Sequence, residues 1–264
     1  MIARVFLAKL LESALPDCPV HMAMRAVDLS DKRLSAASRA RLCWRYFEEV
    51  YQPAFPVADE AEDPSIWLPL IAHTPRIPHP VMRILIATRP RAEGGRDGSQ
   101  ILGGAHVEYF RKSKAALITY LCVRPDARGH GVGRFLLDHL LQKTRRLASM
   151  TVPVFAEAED PDRGGSVAFR RTARQRFSIL RRLGFRALPI KYRQPALGPG
   201  KHPVNNLKLL LFTGGAPIGI EASKVRAFLR EFYGSLNAGA PDEARIFGKT
   251  ARHDLPTFQL GESA

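Results

Sequence analysis

The segment "LITYLCVRPDARGHGVGRFLLDHLLQ", residues 117 to 142, constrains the fold more than any other. A β-branched apolar run stops at Arg124-Pro125. Three glycines follow within five positions, Gly129, Gly131 and Gly133, and apolar residues then return at helical spacing, at Leu136, Leu140 and Leu147 and at Leu137 and Leu141. A strand, a glycine turn and a helix start in that order present consecutive backbone N–H groups at the positive end of a helix dipole, a cradle for an anion.

The flanking sequence supplies the elements around this unit. Residues 36 to 52 place Leu42, Tyr46 and Val50 on one helical stripe, which Pro53 and Pro56 are expected to end. "ADEAEDPSIWLPLIAH" (58 to 73) is an acidic island whose apolar run around Trp67 reads as a second helix or an ordered loop. With the preceding helix it forms a flap over whatever lies beneath. Strands are expected at 81–88, at 101–110 with a glycine pair, at 115–123, at 150–159 and at 207–212. Pro153 argues for an irregular or edge position of the fourth. A long helix is expected from about 165 to 183, closed by Gly184, and an amphipathic helix carries Val225, Phe228, Leu229 and Phe232. From Ala238 onward the tail reads as weakly ordered.

At 264 residues with 45% hydrophobic content, the chain is expected to be one globular domain with decorations. The divisions read are an N-terminal extension (1–35), a main domain (36–212), and a C-terminal amphipathic helix and tail (213–264). Cys18, Cys43 and Cys122 have neither metal-ligand nor disulfide spacing, so no metal is expected and a reducing, cytoplasmic setting is. No stretch approaches the roughly 20 apolar residues of a membrane span, so no membrane partner is expected. The basic, amphipathic opening lacks a signal-type cleavage site. A net charge of +15, with eight arginines between Arg163 and Arg186, attracts polyanions, although a charge run more often only solvates a helix face.

Two phosphate-binding patterns fail at the glycine turn. The P-loop needs Gly-Lys-Ser/Thr, whereas Gly133 precedes Arg134-Phe135, and the alternating glycines break the dinucleotide fingerprint, whose downstream acidic residue is also missing. What fits is R-x-x-G-x-G, from Arg128 through Gly129, His130, Gly131 and Val132 to Gly133, with Val123-x-Pro125 before it, Leu136-Leu137 after it and Leu183-Gly184-Phe185 downstream. This resembles the acetyl-coenzyme A signature of the GNAT N-acetyltransferase superfamily over roughly residues 80 to 212. Segments at 51–67 and 192–211 are similar to those of bacterial members.

The resemblance implies an α/β (α+β) fold with a mixed, mostly antiparallel central sheet, a splayed strand pair and flanking helices. It implies acetyl-coenzyme A as co-substrate, with its pyrophosphate on Arg128, Gly129, His130, Gly131, Val132, Gly133 and Arg134. Its pantetheine arm would lie on main-chain groups of Leu121 and Val123, one nearby N–H serving as the oxyanion donor. Within the loop the backbone N–H of His130 matters more than its ring. The proton acceptor is expected to be Glu157, with Glu108 second, and either is equally read as an ion-pair partner in an arginine-rich chain. The family's tyrosine acid, three residues before Leu-Gly-Phe, is Leu180 here, and its helix asparagine is Ala173. Tyr120 is a substitute. Otherwise the thiol, of pKa about 8.5, leaves unassisted as thiolate. The acceptor is expected to be a small-molecule or protein amine, and a homodimer is compatible with these features. The alternative is a catalytically weak or inactive basic binding protein of the same fold, for nucleic acid or an acidic partner.

Overall fold

The computed structural model describes residues 24–55, 62–73, 79–90, 99–163, 165–196, 202–216, 218–248 and 257–260. Its elements are β1 (Arg25–Asp28), α1 (Ala36–Tyr46), α2 (Gln52–Ala54), α3 (Pro64–Ala72), β2 (Val81–Pro90), β3 (Ser99–Phe110) and β4 (Ala115–Val123), then α4 (Val132–Ala148), β5 (Val154–Glu159), α5 (Val167–Leu183), β6 (Phe185–Ala187), β7 (Leu207–Phe212), β8 (Ile218–Glu221), α6 (Ala222–Ser235), α7 (Glu243–Phe247) and β9 (Thr257–Leu260). Seven strands make one sheet in the order β1-β2-β3-β4-β5-β7-β6, and β8 pairs with β9 apart from it. Every pairing in the main sheet is antiparallel except β4 with β5. This is the mixed, mostly antiparallel sheet with flanking helices that the sequence led us to expect.

Alternation along the strands divides the core between two faces. Ala105, Val107, Leu121, Val123, Ala156 and Ala158 point to one face, beneath Leu136, Leu137 and Leu140 of α4 and Leu180 of α5. On the other face, α1 and α3 cover Ile84, Ile86, Tyr120 and Cys122, while α6 covers Phe110, Leu117 and Phe155. The glycine pair in β3 has a steric reason here. A Cβ on Gly104 would meet the Tyr46 ring at 2.4 Å, so α1 can lie on the sheet only because that side chain is missing.

Several expectations need correction. Pro53 does not end the first helix, which widens into a π turn over Phe47–Tyr51 and reaches Ala54. Pro53 follows directly on the π turn, where the helix returns to α geometry. The apolar run around Trp67 forms helix α3, with Asp63 at its N-cap accepting from the Ser65 N–H. The strand after α4 begins only at Val154 and is central, between β4 and β7. Pro153 stands just outside it, and its carbonyl accepts from the Ala116 N–H at 2.9 Å. Strand β1, within residues 1–35, was not foreseen. It pairs with β2 from Arg25↔Thr88 to Asp28↔Leu85. After Ala238 the described residues include two elements that were not expected, α7, which buries Ile246 against α6, and β9, which closes on β8.

The helix expected over 165–183 is α5. Ser166 caps it by accepting from the Phe169 N–H, and Gly184 ends it with φ of 99°, a conformation glycine adopts freely. Among the described residues no helix is long and apolar enough to cross a membrane.

Phe228 of α6 stacks on Phe155 at 4.4 Å and meets Phe110 edge-on at 5.4 Å, tying the C-terminal helix to two central strands. Phe228→Ala is expected to destabilise the whole domain by about 3–5 kcal/mol, lowering the melting midpoint by roughly 10 °C in a single transition. A separate early transition in calorimetry, with the main one unmoved, would show α6 folding independently of the sheet.

Candidate functional site

The site follows from where β4 leaves β5. The two strands pair only at Ala116↔Val154, Leu117↔Phe155 and Ile118↔Ala156. Beyond that, β5 continues against β7 to Glu159, while β4 continues against β3 to Val123. A register shift on β4 between Ile118 and Tyr120 leaves Thr119 unmatched, and such bulges bend and twist the strand that carries them. The strands therefore part above Ile118.

The backbone on the open edge can be read from the pairing. The Arg124 N–H donates to the Leu102 carbonyl at 2.9 Å, and Gly104↔Cys122 and His106↔Tyr120 are in register with that bond. Alternation then turns the main-chain groups of Tyr120, Cys122 and Arg124 toward β3, and those of Leu121 and Val123 toward the opening. The Val123 carbonyl accepts from Arg128 Nε at 3.3 Å, drawing the start of the loop back over the strand end.

The opening is closed at its end by the glycine loop. A short 3-10 turn over Pro125–Ala127 leads into Gly129 and Gly131, both at φ 77°, and Gly131 is the N-cap of α4. A Cβ on Gly131 would meet nothing within 4 Å, so free space lies directly against the helix start. Val132 and Gly133 are buried beneath it. The His130 ring is exposed and its Nδ1–H donates to the Arg128 carbonyl at 2.8 Å, and Arg134 pairs with Asp138 across one turn of α4 at 3.0 Å. An unobstructed, left-handed helix N-terminus beside open strand edges fits the phosphates and amide arm of coenzyme A.

The carboxylates named from sequence stand on the opposite face from α4. Glu157 is fully buried, and both of its oxygens are taken. The Tyr192 hydroxyl donates to Oε1, and Gln194 Nε2 donates to Oε2 at 3.0 Å. Burial pushes its carboxyl up to about 7 even though both donors pull the other way, and the nearby Glu108 adds to the rise. Glu108 is also raised by burial to about 7. Glu159, two residues along β5, is an ordinary ion-pair partner of Arg176.

Tyr120 does not reach toward the glycine loop. Its ring lies edge-on to Tyr51, Phe55 and His106 at 5.1–5.2 Å, within the aromatic cluster under α1 and α3. Its hydroxyl interacts with that of Tyr51. Leu180 and Ala173, at the positions of the family's tyrosine and asparagine, are buried core residues of α5.

Tyr192, Gln194 and His106 escaped the sequence reading, and the inward-facing role of Glu62 did as well. Glu62 belongs to the acidic island but does not cap a helix. It is buried, accepts from Trp67 Nε1 at 2.7 Å, and is raised by burial to about 8 with a further contribution from Glu108. The five-residue spacing to Trp67 was the available signal. Asp59 and Glu60 of the same island lie outside the described residues. Tyr192 and Gln194 come from a connection that the sequence shows only as irregular, pinned by a bridge between Gln194 and Val204 and by the Tyr233 hydroxyl on the Arg193 carbonyl. His106 sits among Tyr46, Tyr51, Trp67 and Tyr120, and burial holds its imidazole down near 3.

Comparison with known proteins agrees with this geometry. Residues 92–186 match the profile of the acetyltransferase (GNAT) domain. A Bacteroides thetaiotaomicron protein described as a GNAT-family acetyltransferase is similar in structure with a TM-score of 0.53 at 16% identity, over 82% of this chain and 99% of the other. A Desulfovibrio desulfuricans protein described as belonging to the same family gives 0.43 at 16% identity over 72% and 97%. An aminoglycoside 6'-N-acetyltransferase solved with coenzyme A gives 0.45 at 10% identity over 72% and 95%. No curated protein matches the sequence. The strand–glycine loop–helix unit lies inside the region matched by the acetyltransferase (GNAT) domain, and the sheet built around it has the fold of a protein described as a GNAT-family acetyltransferase.

Proposed function

We propose that the chain transfers the acetyl group of acetyl-coenzyme A to an amine, and that it does so where β4 and β5 part. The observation that carries this reading is that parting, which turns the edge groups of Leu121 and the N–H of Val123 toward the opening beside an unobstructed helix N-terminus at Gly131. Acetyl-coenzyme A supplies an acetyl group activated as a thioester. The N–H groups of Gly129 to Gly133 and the α4 dipole hold negative charge. The edge of β4 orients an amide-bearing arm in the way a further strand would be oriented, and an edge N–H stabilises charge developing on the carbonyl oxygen. A buried carboxylate on the opposite face takes the proton of the incoming amine. The alternative of a basic binding protein rests on the net charge and on Leu180 at the family's acid position, and the intact glycine loop opposes it.

Leu180 leaves no tyrosine at the family's acid position, and Tyr120 is turned into the aromatic cluster. The thiolate therefore departs without a side-chain acid, as its pKa of about 8.5 permits. Tyr120→Phe is expected to keep most of kcat. A loss of about 100-fold with coenzyme A affinity preserved would make Tyr120 the acid.

Coenzyme A is expected to raise the melting temperature and to bind with measurable heat. Gly131→Asp should abolish both, because the new carboxylate fills the free space and adds like charge beside the pyrophosphate. Gly131→Asn tolerates the same left-handed backbone without the charge and should weaken binding less. Equal affinity in wild type and Gly131→Asp would overturn the assignment of the loop.

The three buried carboxyls also predict how stability depends on pH. Glu62, Glu108 and Glu157 have folded pKa values of about 8, 7 and 7, above the ordinary 4.5, so the folded state holds protons that the unfolded chain has released. Their contribution is full below about pH 4.5 and is lost as pH rises through 7 to 8. Glu62→Gln keeps an acceptor for Trp67 but cannot ionise. Its melting temperature relative to wild type should climb between pH 5.5 and 9, and a pH-independent difference would show that Glu62 is not raised.

A further inference from the structure

Sequence alone ranks Glu157 above Glu108, because Glu157 lies on the strand that flanks the opening. The two side chains are in very different states. Glu157 is sealed at 0% exposure and accepts one donor on each oxygen, both from the 188–196 connection. That connection is itself fixed: Lys191 N–H bonds the Ile246 carbonyl, Gln194 bridges Val204, and Tyr233 of α6 bonds the Arg193 carbonyl. To take a proton from a substrate, Glu157 would have to give up a donor and move without space to do so. Such an arrangement holds a wall in place.

Glu108 has none of these ties. Alternation on β3 puts it on the same face as His106 and Phe110, between the cluster under α1 and α3 and the cluster under α6. It retains 5% exposure, and no hydrogen bond or ion pair to it is found among the described residues. The titratable groups that bear on it are carboxyls, Glu62 from the α3 side and Glu157 from β5, each of which feels its charge. His106 shares its face of β3, with Nδ1 buried and unpartnered. A buried carboxylate with unused acceptor capacity, with other carboxyls but no cation beside it among the described residues, is completed by an incoming ammonium group.

We infer that Glu108 is the catalytic residue that receives the acceptor's ammonium and takes its proton, and that Glu157 is a positioning residue that locks the 188–196 wall through Tyr192 and Gln194. The inference rests on the acetyl-transfer reading above. The ammonium R–NH3+ gives one proton to the Glu108 carboxylate. The C–N bond then forms as the C–S bond breaks, with its electron pair leaving on sulfur. A second nitrogen proton neutralises the thiolate, and Glu108 returns its proton to water, so the products are the amide, the thiol and one H+.

The test compares Glu108→Gln and Glu157→Gln in the full chain, with acetyl-coenzyme A and a panel of spermidine, kanamycin and a lysine peptide, following thiol release. Glu108→Gln is expected to lower kcat about 100-fold or more with acetyl-coenzyme A affinity unchanged, and to flatten the rise of kcat/KM with pH near 7. Glu108→Asp should restore part of the rate. Glu157→Gln keeps an oxygen for Tyr192 and should stay within about 10-fold in kcat, with the rise near pH 7 intact. The reverse ranking, or equal losses, would overturn the inference. Carboxyl labelling with a water-soluble carbodiimide at pH 6, mapped by mass spectrometry, tests it without turnover. Glu108 is expected to be modified and Glu157 spared, whereas modification of Glu157 in preference to Glu108 would overturn it. Failure of every amine to react while coenzyme A binds and Glu108 labels would count against the acetyl-transfer reading alone.

Discussion

The structure depends on one limited pairing. Strands β4 and β5 are parallel and share three residue pairs before they separate, yet each remains fully engaged on its other side, β4 with β3 and β5 with β7. An open strand edge inside a sheet normally invites water or another chain. Here the gap is framed by a bulge at Thr119 on one side and by the glycine loop at its end, and two helical layers pack the sheet on either face. The sheet can tolerate an unpaired edge because neither strand relies on the other for most of its hydrogen bonds.

What was legible in the sequence was whatever is local. The strand–loop–helix unit could be read because glycine at Gly129 and Gly131 answers a backbone requirement, φ of 77°, that a single sequence displays directly. Helix α5 was legible for the same reason, with a serine cap at one end and a glycine stop at the other. The glycine pair of β3 was visible, but its cause was not, because Tyr46 lies about sixty positions away in the chain. Strand β1 was missed because four residues of mixed burial carry little period, and they are held by pairing rather than by propensity.

The site was legible only in half. Residues offering backbone were found by motif, whereas the roles of side chains depend on partners from irregular segments. Nothing in "IKYRQPALG" indicates that Tyr192 folds under the sheet to bond Glu157. The acidic island read as a second helix or an ordered loop, and Asp63 does cap α3, but its neighbour Glu62 turns inward to Trp67. One residue of offset on an irregular segment separates an exposed carboxylate from a buried one, and composition carries no record of it.

The surplus of positive charge sharpens the meaning of the buried carboxyls. A chain of net charge +15 has cations to spare, and it uses them where ion pairs are structural: Arg176 on Glu159, Arg163 and Lys208 on Asp160, Lys143 on Asp28. Several others, Arg171, Arg174 and Arg182 of α5 among them, stay on the exposed side of their helix. Against that background, none of the three carboxyls on the covered face pairs with a cation among the described residues. Two are steadied by neutral donors, Trp67 for Glu62 and the Tyr192–Gln194 pair for Glu157, which stabilise the side chain without cancelling its charge. Ionising such groups in an apolar layer is costly. Among the described residues the middle carboxyl, Glu108, has neither kind of partner, and an ammonium group from outside would supply one.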